Sequence, residues 1–146
     1  MTKWQNSENS SEPLCSPIET TERVRYSETD QMGVAHNKSY FEWFEIGRTE
    51  YCRQKNIPYK SIEEQGIYLV VAESFCQYKR PLRYDERIII RVNLMEALPK
   101  KIVFEYHIFS LDKNRLAAKG RTVHVPTNAE AKVTRLPDNL LQNLCS

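Results

Sequence analysis

Hydrophobic and polar positions follow two periods along this chain. Between Thr21 and Ser27 they alternate, with Val24 and Tyr26 on one side and Arg23 and Arg25 on the other, as in a half-buried strand. From Ser39 to Lys55 the period lengthens. Tyr40, Trp43, Phe44, Gly47 and Tyr51 recur three and four apart, opposite Glu42, Glu45, Arg48, Glu50 and Arg53. This predicts an amphipathic helix with Ser39 as N-cap and Glu42 at capping-box spacing. Its density of aromatic groups predicts a central helix, wrapped on several sides. Gly47 costs about 1 kcal/mol relative to alanine in such a helix, so it marks a close approach by another backbone or a ligand. Asn56 and Pro58 end the helix, and Ser61 to Gln65 predicts one short turn before Gly66.

Period-two patterning then returns in Ile67 to Gln77, Arg87 to Met95, Lys101 to Leu111 and Leu116 to Val125. Pro99-Lys100 and Asp112 to Arg115 have the composition of hairpin turns, and Pro81, Pro99, Pro126 and Pro137 fall between segments. The order is β-α-β-β-β-β, an α+β class in which an antiparallel sheet curls around one helix. Arg87 to Met95 and Leu116 to Val125 are expected to be exposed edges, which a lone domain would have to protect. Leu140, Leu141 and Leu144 predict a last short helix. Residues 1–22 are rich in Ser, Asn, Glu and Thr and are expected to form a flexible leader, with Trp4 and Cys15 its few groups able to dock. Residues 23–146 form a single domain on this reading.

Composition narrows the function classes. The balance of 21 basic and 19 acidic residues gives +2, which offers no case for nucleic-acid binding. Cys15, Cys52, Cys76 and Cys145 form no CxxC pair and no metal-ligand spacing with histidine, so reduced thiols and no metal are expected, with a disulfide pair as the alternative. No apolar run is long enough to span a bilayer, and a cytoplasmic protein without membrane insertion is the expectation.

The loop Ser27-Glu28-Thr29-Asp30-Gln31-Met32-Gly33 joins the first strand to the helix. Gly33 can supply a positive φ there, and the reversal would hold Asp30 near the helix start. That start offers amides without intrahelical acceptors and the positive end of a dipole, suited to a developing oxyanion. An acid beside such amides is a plausible ester or thioester hydrolysis site, and the plainer alternative is an aspartate that only forms an Asx-turn.

The stretch RYSETDQMGVAHNKSYFEWFEIGRTEY, followed later by YKRPLRYDE, resembles the signature of the 4-hydroxybenzoyl-CoA thioesterase family of hotdog-fold acyl-CoA thioesterases, over about residues 22 to 126. The resemblance implies a hotdog fold and hydrolysis of an acyl-CoA to free acid and coenzyme A, with no cofactor beyond the coenzyme A of the substrate. It implies Asp30 as nucleophile or general base and the backbone NH near Asn37 as the group that polarises the carbonyl. His36-Asn37 stands where many relatives have Tyr-His, which leaves open whether His36 has a side-chain role. It also implies a homodimer or homotetramer with sites at subunit contacts.

Tyr26, Tyr40 and Phe44 are candidates for the acyl pocket, with core packing as the alternative for each. Glu28 is taken as a solvated or Arg-paired acid, and His107 and His124 as structural. The phosphates of coenzyme A call for Lys or Arg on a rim, and Lys79, Arg80, Lys100, Lys101 and Arg121 are the candidates. Two rival readings are a non-catalytic acyl-CoA binding or sensing module and a thioesterase that acts on acyl carrier protein.

Overall fold

The computed structural model describes residues 12–57 and 59–146. Trp4, the first half of the expected leader and Pro58 lie outside the described residues. The chain forms β1 (Ile18–Arg23), a 3-10 turn (Tyr26–Glu28), α1 (Asn37–Gln54), α2 (Tyr59–Glu64), β2 (Tyr68–Tyr78), β3 (Arg87–Leu98), β4 (Lys101–Ser110), β5 (Arg115–Thr127) and α3 (Asp138–Asn143). The five strands make one antiparallel sheet in the order β1-β3-β4-β5-β2, and α1 touches β1, β2, β3 and β4.

The alternation in β3 places Ile88, Ile90, Val92 and Leu94 at 1% exposure or less beneath α1, and each such side chain contributes about 1.5–3 kcal/mol on burial. Two glycines set the depth of contact. A Cβ on Gly47 would lie 2.7 Å from the Cγ2 atoms of Ile90 and Val92, so the close approach foreseen at Gly47 is to the side chains of β3. A Cβ on Gly120 of β5 would lie 2.1 Å from the Phe44 ring. That ring is stacked on Tyr106 at 4.4 Å, filling the space the second glycine leaves.

Three expectations are corrected. The first strand begins at Ile18, inside the stretch expected as leader; its half-buried face is Ile18, Thr20 and Glu22, too polar to stand out in the sequence. The edges are β1 and β2, whereas β3 and β5 each have a neighbour on both sides. The thiols expected to be reduced include one disulfide, Cys15–Cys145, with Cα atoms 5.7 Å apart, while Cys52 and Cys76 remain thiols. It ties the segment before β1 to the residues after α3, over Tyr51, whose hydroxyl donates to the Leu144 carbonyl at 2.8 Å. Among the described residues no helix is long and apolar enough to cross a membrane.

Candidate active site

Asp30 opens a tight reversal that its own backbone and side chain both hold. The Gly33 amide donates to the Asp30 carbonyl at 3.0 Å, and the Asp30 amide donates to the Val34 carbonyl at 2.8 Å. The Asp30 Oδ1 accepts from the Met32 amide at 2.8 Å and the Val34 amide at 3.4 Å. Gly33 has φ +78°, a conformation other residues resist. The Asx-turn is therefore present, and it fixes the carboxylate in place.

The loop is anchored at both ends. Glu28, at 4% exposure, accepts from the Arg25 amide at 2.7 Å and from the Trp43 indole at 2.9 Å. Its carbonyl accepts from the His36 amide at 2.8 Å and the Ser39 hydroxyl at 2.9 Å. The Ala35 amide donates to the Leu82 carbonyl at 2.7 Å, and Val34 bridges to Arg83. This second set of bonds draws the connection between β2 and β3 alongside the reversal.

The helix starts two residues before the expected N-cap. His36 is the N-cap, its Nδ1 accepting from the Lys38 amide at 3.1 Å, while Ser39 lies within α1 and its hydroxyl is engaged with Glu28. The Ser39 amide donates to the His36 carbonyl at 2.9 Å. The Asn37 amide, first of the helix, has no intrahelical acceptor and stands at the positive end of an 18-residue dipole.

Asp30, His36, Asn37 and Tyr40 line one side of a cavity of about 440 Å³, and Tyr78, Lys79, Arg80 and Pro81 line another. Burial, helped by Cys76 and Tyr78, pushes the Tyr40 phenol up to about 12, so it remains a neutral donor. Burial likewise pushes the Cys76 thiol up to about 12, which leaves it unsuited to act as a nucleophile.

Several candidates lie elsewhere. Tyr26 is 77% exposed against Tyr84 and does not line the cavity. Phe44 is fully buried in the core. Lys100 lies in the β3–β4 turn, Lys101 opens β4 and Arg121 belongs to β5; Lys101 and Arg121 pair with Glu96 at 3.6 and 4.0 Å. Tyr78 and Pro81 were missed, although they flank Lys79-Arg80 in the same stretch of sequence.

A model of the Thioesterase-like superfamily matches residues 24–144. A putative esterase of Aquifex aeolicus is 34% identical over 122 residues, 84% of this chain and 93% of the relative. A putative acyl-CoA thioesterase, YneP, of Bacillus subtilis is 32% identical over 108 residues, 74% of this chain and 78% of the relative. Among solved structures, a DHNA-CoA thioesterase from Staphylococcus aureus superposes with a TM-score of 0.79 at 30% identity, covering 82% of this chain and 80% of that one.

Proposed function

Because the chain belongs to the Thioesterase-like superfamily and has its hotdog fold, we propose that it hydrolyses an acyl-CoA thioester at the cavity between the Asp30 loop and the start of α1. The observation that supports this most is that one cavity is lined by an acid, the first amide of a long helix and two adjacent cations. The thioester carbonyl oxygen accepts from the Asn37 amide, which stabilises the charge that develops as the carbon becomes tetrahedral. Asp30 is exposed, and so hydrated; a solvated carboxylate is better placed to take a proton from water than to attack carbon itself. Water adds to the carbonyl carbon, Asp30 takes its proton, the C–S bond breaks, and that proton passes to the departing thiolate. Lys79 and Arg80 meet the phosphates of coenzyme A.

A second copy pairs along β2. This 11-residue edge strand exposes Tyr68, Val70, Val71, Phe75 and Tyr78, between 38% and 50% each. An apolar edge of that length attracts another strand unless it is covered, and the Asp30 cavity is lined by Tyr78 at its end.

The test is thiol release from short, medium and aromatic acyl-CoAs, set beside the same acyl groups on N-acetylcysteamine, which lacks the phosphates. Hydrolysis of a CoA ester with kcat/KM at least about tenfold above its truncated counterpart is expected, with the gap narrowed by Lys79→Ala and Arg80→Ala. No thiol release from any acyl-CoA would refute the reading.

A further inference from the structure

Two phenols line the Asp30 cavity, and they differ in what their hydroxyls meet. Tyr78, on β2, is half exposed and shares a hydrogen bond with the Cys76 thiol. Tyr40, on α1, is only 3% exposed, and among the described residues its hydroxyl has no hydrogen-bond partner. The hydroxyl is nevertheless not sealed from solvent, so it emerges at the cavity that Tyr40 lines. A polar group in that position is satisfied by whatever occupies the cavity, water or substrate.

The helix brings that hydroxyl to the thioester end of the cavity. Tyr40 stands three residues after Asn37, so both lie on one face of α1, with a rise of about 4.5 Å between them. A long helical side chain leans back over the turn before it, which lays the Tyr40 phenol toward the helix end where the Asn37 amide lacks an acceptor. The ring is braced by edge contacts with Trp43 of α1 at 5.0 Å and Tyr78 of β2 at 4.9 Å, which leaves the O–H as the part free to turn. His36 lines the cavity too, but it is exposed and its Nδ1 is occupied by the Lys38 amide.

We propose that the Tyr40 hydroxyl is a second donor to the thioester carbonyl oxygen, completing with the Asn37 amide a two-point oxyanion site. As water adds to the carbonyl carbon and Asp30 takes its proton, the C=O electron pair moves onto oxygen, where one N–H and one O–H meet it. Both donors keep their protons. The pair returns to carbon as the C–S bond breaks. A phenol held up at about 12 stays protonated at neutral pH, and a buried, preorganised donor acts most strongly on charge that forms only in the transition state. The inference rests on the thioesterase reading, because that reading places the carbonyl at Asn37.

The experiment compares the wild type with Tyr40→Phe, which keeps the ring and its contacts. With an acyl-CoA that the wild type hydrolyses, kcat is expected to fall by about 10²–10³ while KM stays within about threefold. A second readout needs no turnover. It uses the ketone analogue of an acyl-CoA, with a methylene in place of the thioester sulfur and carbon-13 at the carbonyl. Bound to the wild type, that carbon should resonate downfield of its position in Tyr40→Phe, where one donor is gone. Circular dichroism shows whether Tyr40→Phe has folded. If it has not, Tyr40→3-fluorotyrosine keeps the hydroxyl, and its fluorine resonance should move on binding the ketone but not the matching thioether, which has no carbonyl. A folded Tyr40→Phe with wild-type kcat, a carbonyl resonance that does not differ, a fluorine resonance blind to the ketone, or no binding of the ketone would overturn the second donor. A protein that hydrolyses no acyl-CoA, yet whose bound ketone loses its downfield shift in Tyr40→Phe, would keep the donor and remove the thioesterase reading instead. Hydrolysis indifferent to Tyr40→Phe would do the reverse.

Discussion

The Glu28 carboxylate accepts a hydrogen bond from the Trp43 indole at 2.9 Å, joining the segment that leads to Asp30 to the second turn of α1. Both groups are buried, at 4% and 1% exposure, so neither can turn to water when the other is removed. Glu28→Ala leaves the indole N–H and the Arg25 amide without their acceptor. A loss of about 2–4 kcal/mol in urea unfolding is expected, and a smaller one for Glu28→Gln, which keeps one acceptor oxygen. Equal stability of Glu28→Ala and the wild type would contradict the anchor.

Gly120 faces the Phe44 ring with no room for a methyl group. Gly120→Ala must displace the far edge of a ring that is stacked on Tyr106, so about 1–3 kcal/mol of stability should be lost. Adding Phe44→Leu to Gly120→Ala should recover part of that, since the smaller side chain vacates the space. Additive losses in the double variant would argue against direct contact.

His124 gives a pH dependence with a definite sign. Its folded value lies near 3, below the ordinary 6.5, so between these the unfolded state binds a proton that the folded state does not. Acidification through this window therefore costs stability, by up to about 1.4 kcal/mol per pH unit from this group. Denaturation of the wild type and His124→Gln, compared between pH 6.5 and 5 where few carboxylates titrate, should show the steeper decline in the wild type. Parallel slopes would contradict a neutral buried imidazole.

The Cys15–Cys145 disulfide closes a separation of 130 residues. Loop-closure entropy gives an upper figure of about 5 kcal/mol for such a cross-link, so reduction should lower Tm substantially. The unfolded, unreduced protein should titrate only Cys52 and Cys76 with a thiol reagent. Four reactive thiols would show that the bond does not form.

The parts of the fold that were legible in the sequence are those governed by local periodicity. The aromatic stripe of α1 and the alternation of β3 each record a single buried face, and both fall where expected. Strand order is not local. β2 looked like any other half-buried strand because exposed Val70, Val71 and Phe75 are apolar, and only the pairing of β5 with both β4 and β2 reveals which strand is an edge. Ser39 with Glu42 imitated a capping box, yet Ser39 bonds Glu28, eleven residues earlier, and the cap passed to His36. Asp30 and Asn37, expected close together because one short segment holds them, line the same cavity, with Gly33 in the reversal between them. Lys79 and Arg80 could be separated from Lys100, Lys101 and Arg121 only once the bridge between Val34 and Arg83 was known.

The account turns on Asp30 acting on a thioester carbonyl gripped by the Asn37 amide, and kcat of Asp30→Asn tests it most directly. The substitution retains an oxygen able to accept from the Met32 amide, so the reversal and the fold should persist. With an acyl-CoA that the wild type hydrolyses, kcat is expected to fall by about 10²–10⁴ with little change in KM. A folded Asp30→Asn protein that turns over at the wild-type rate would contradict the mechanism.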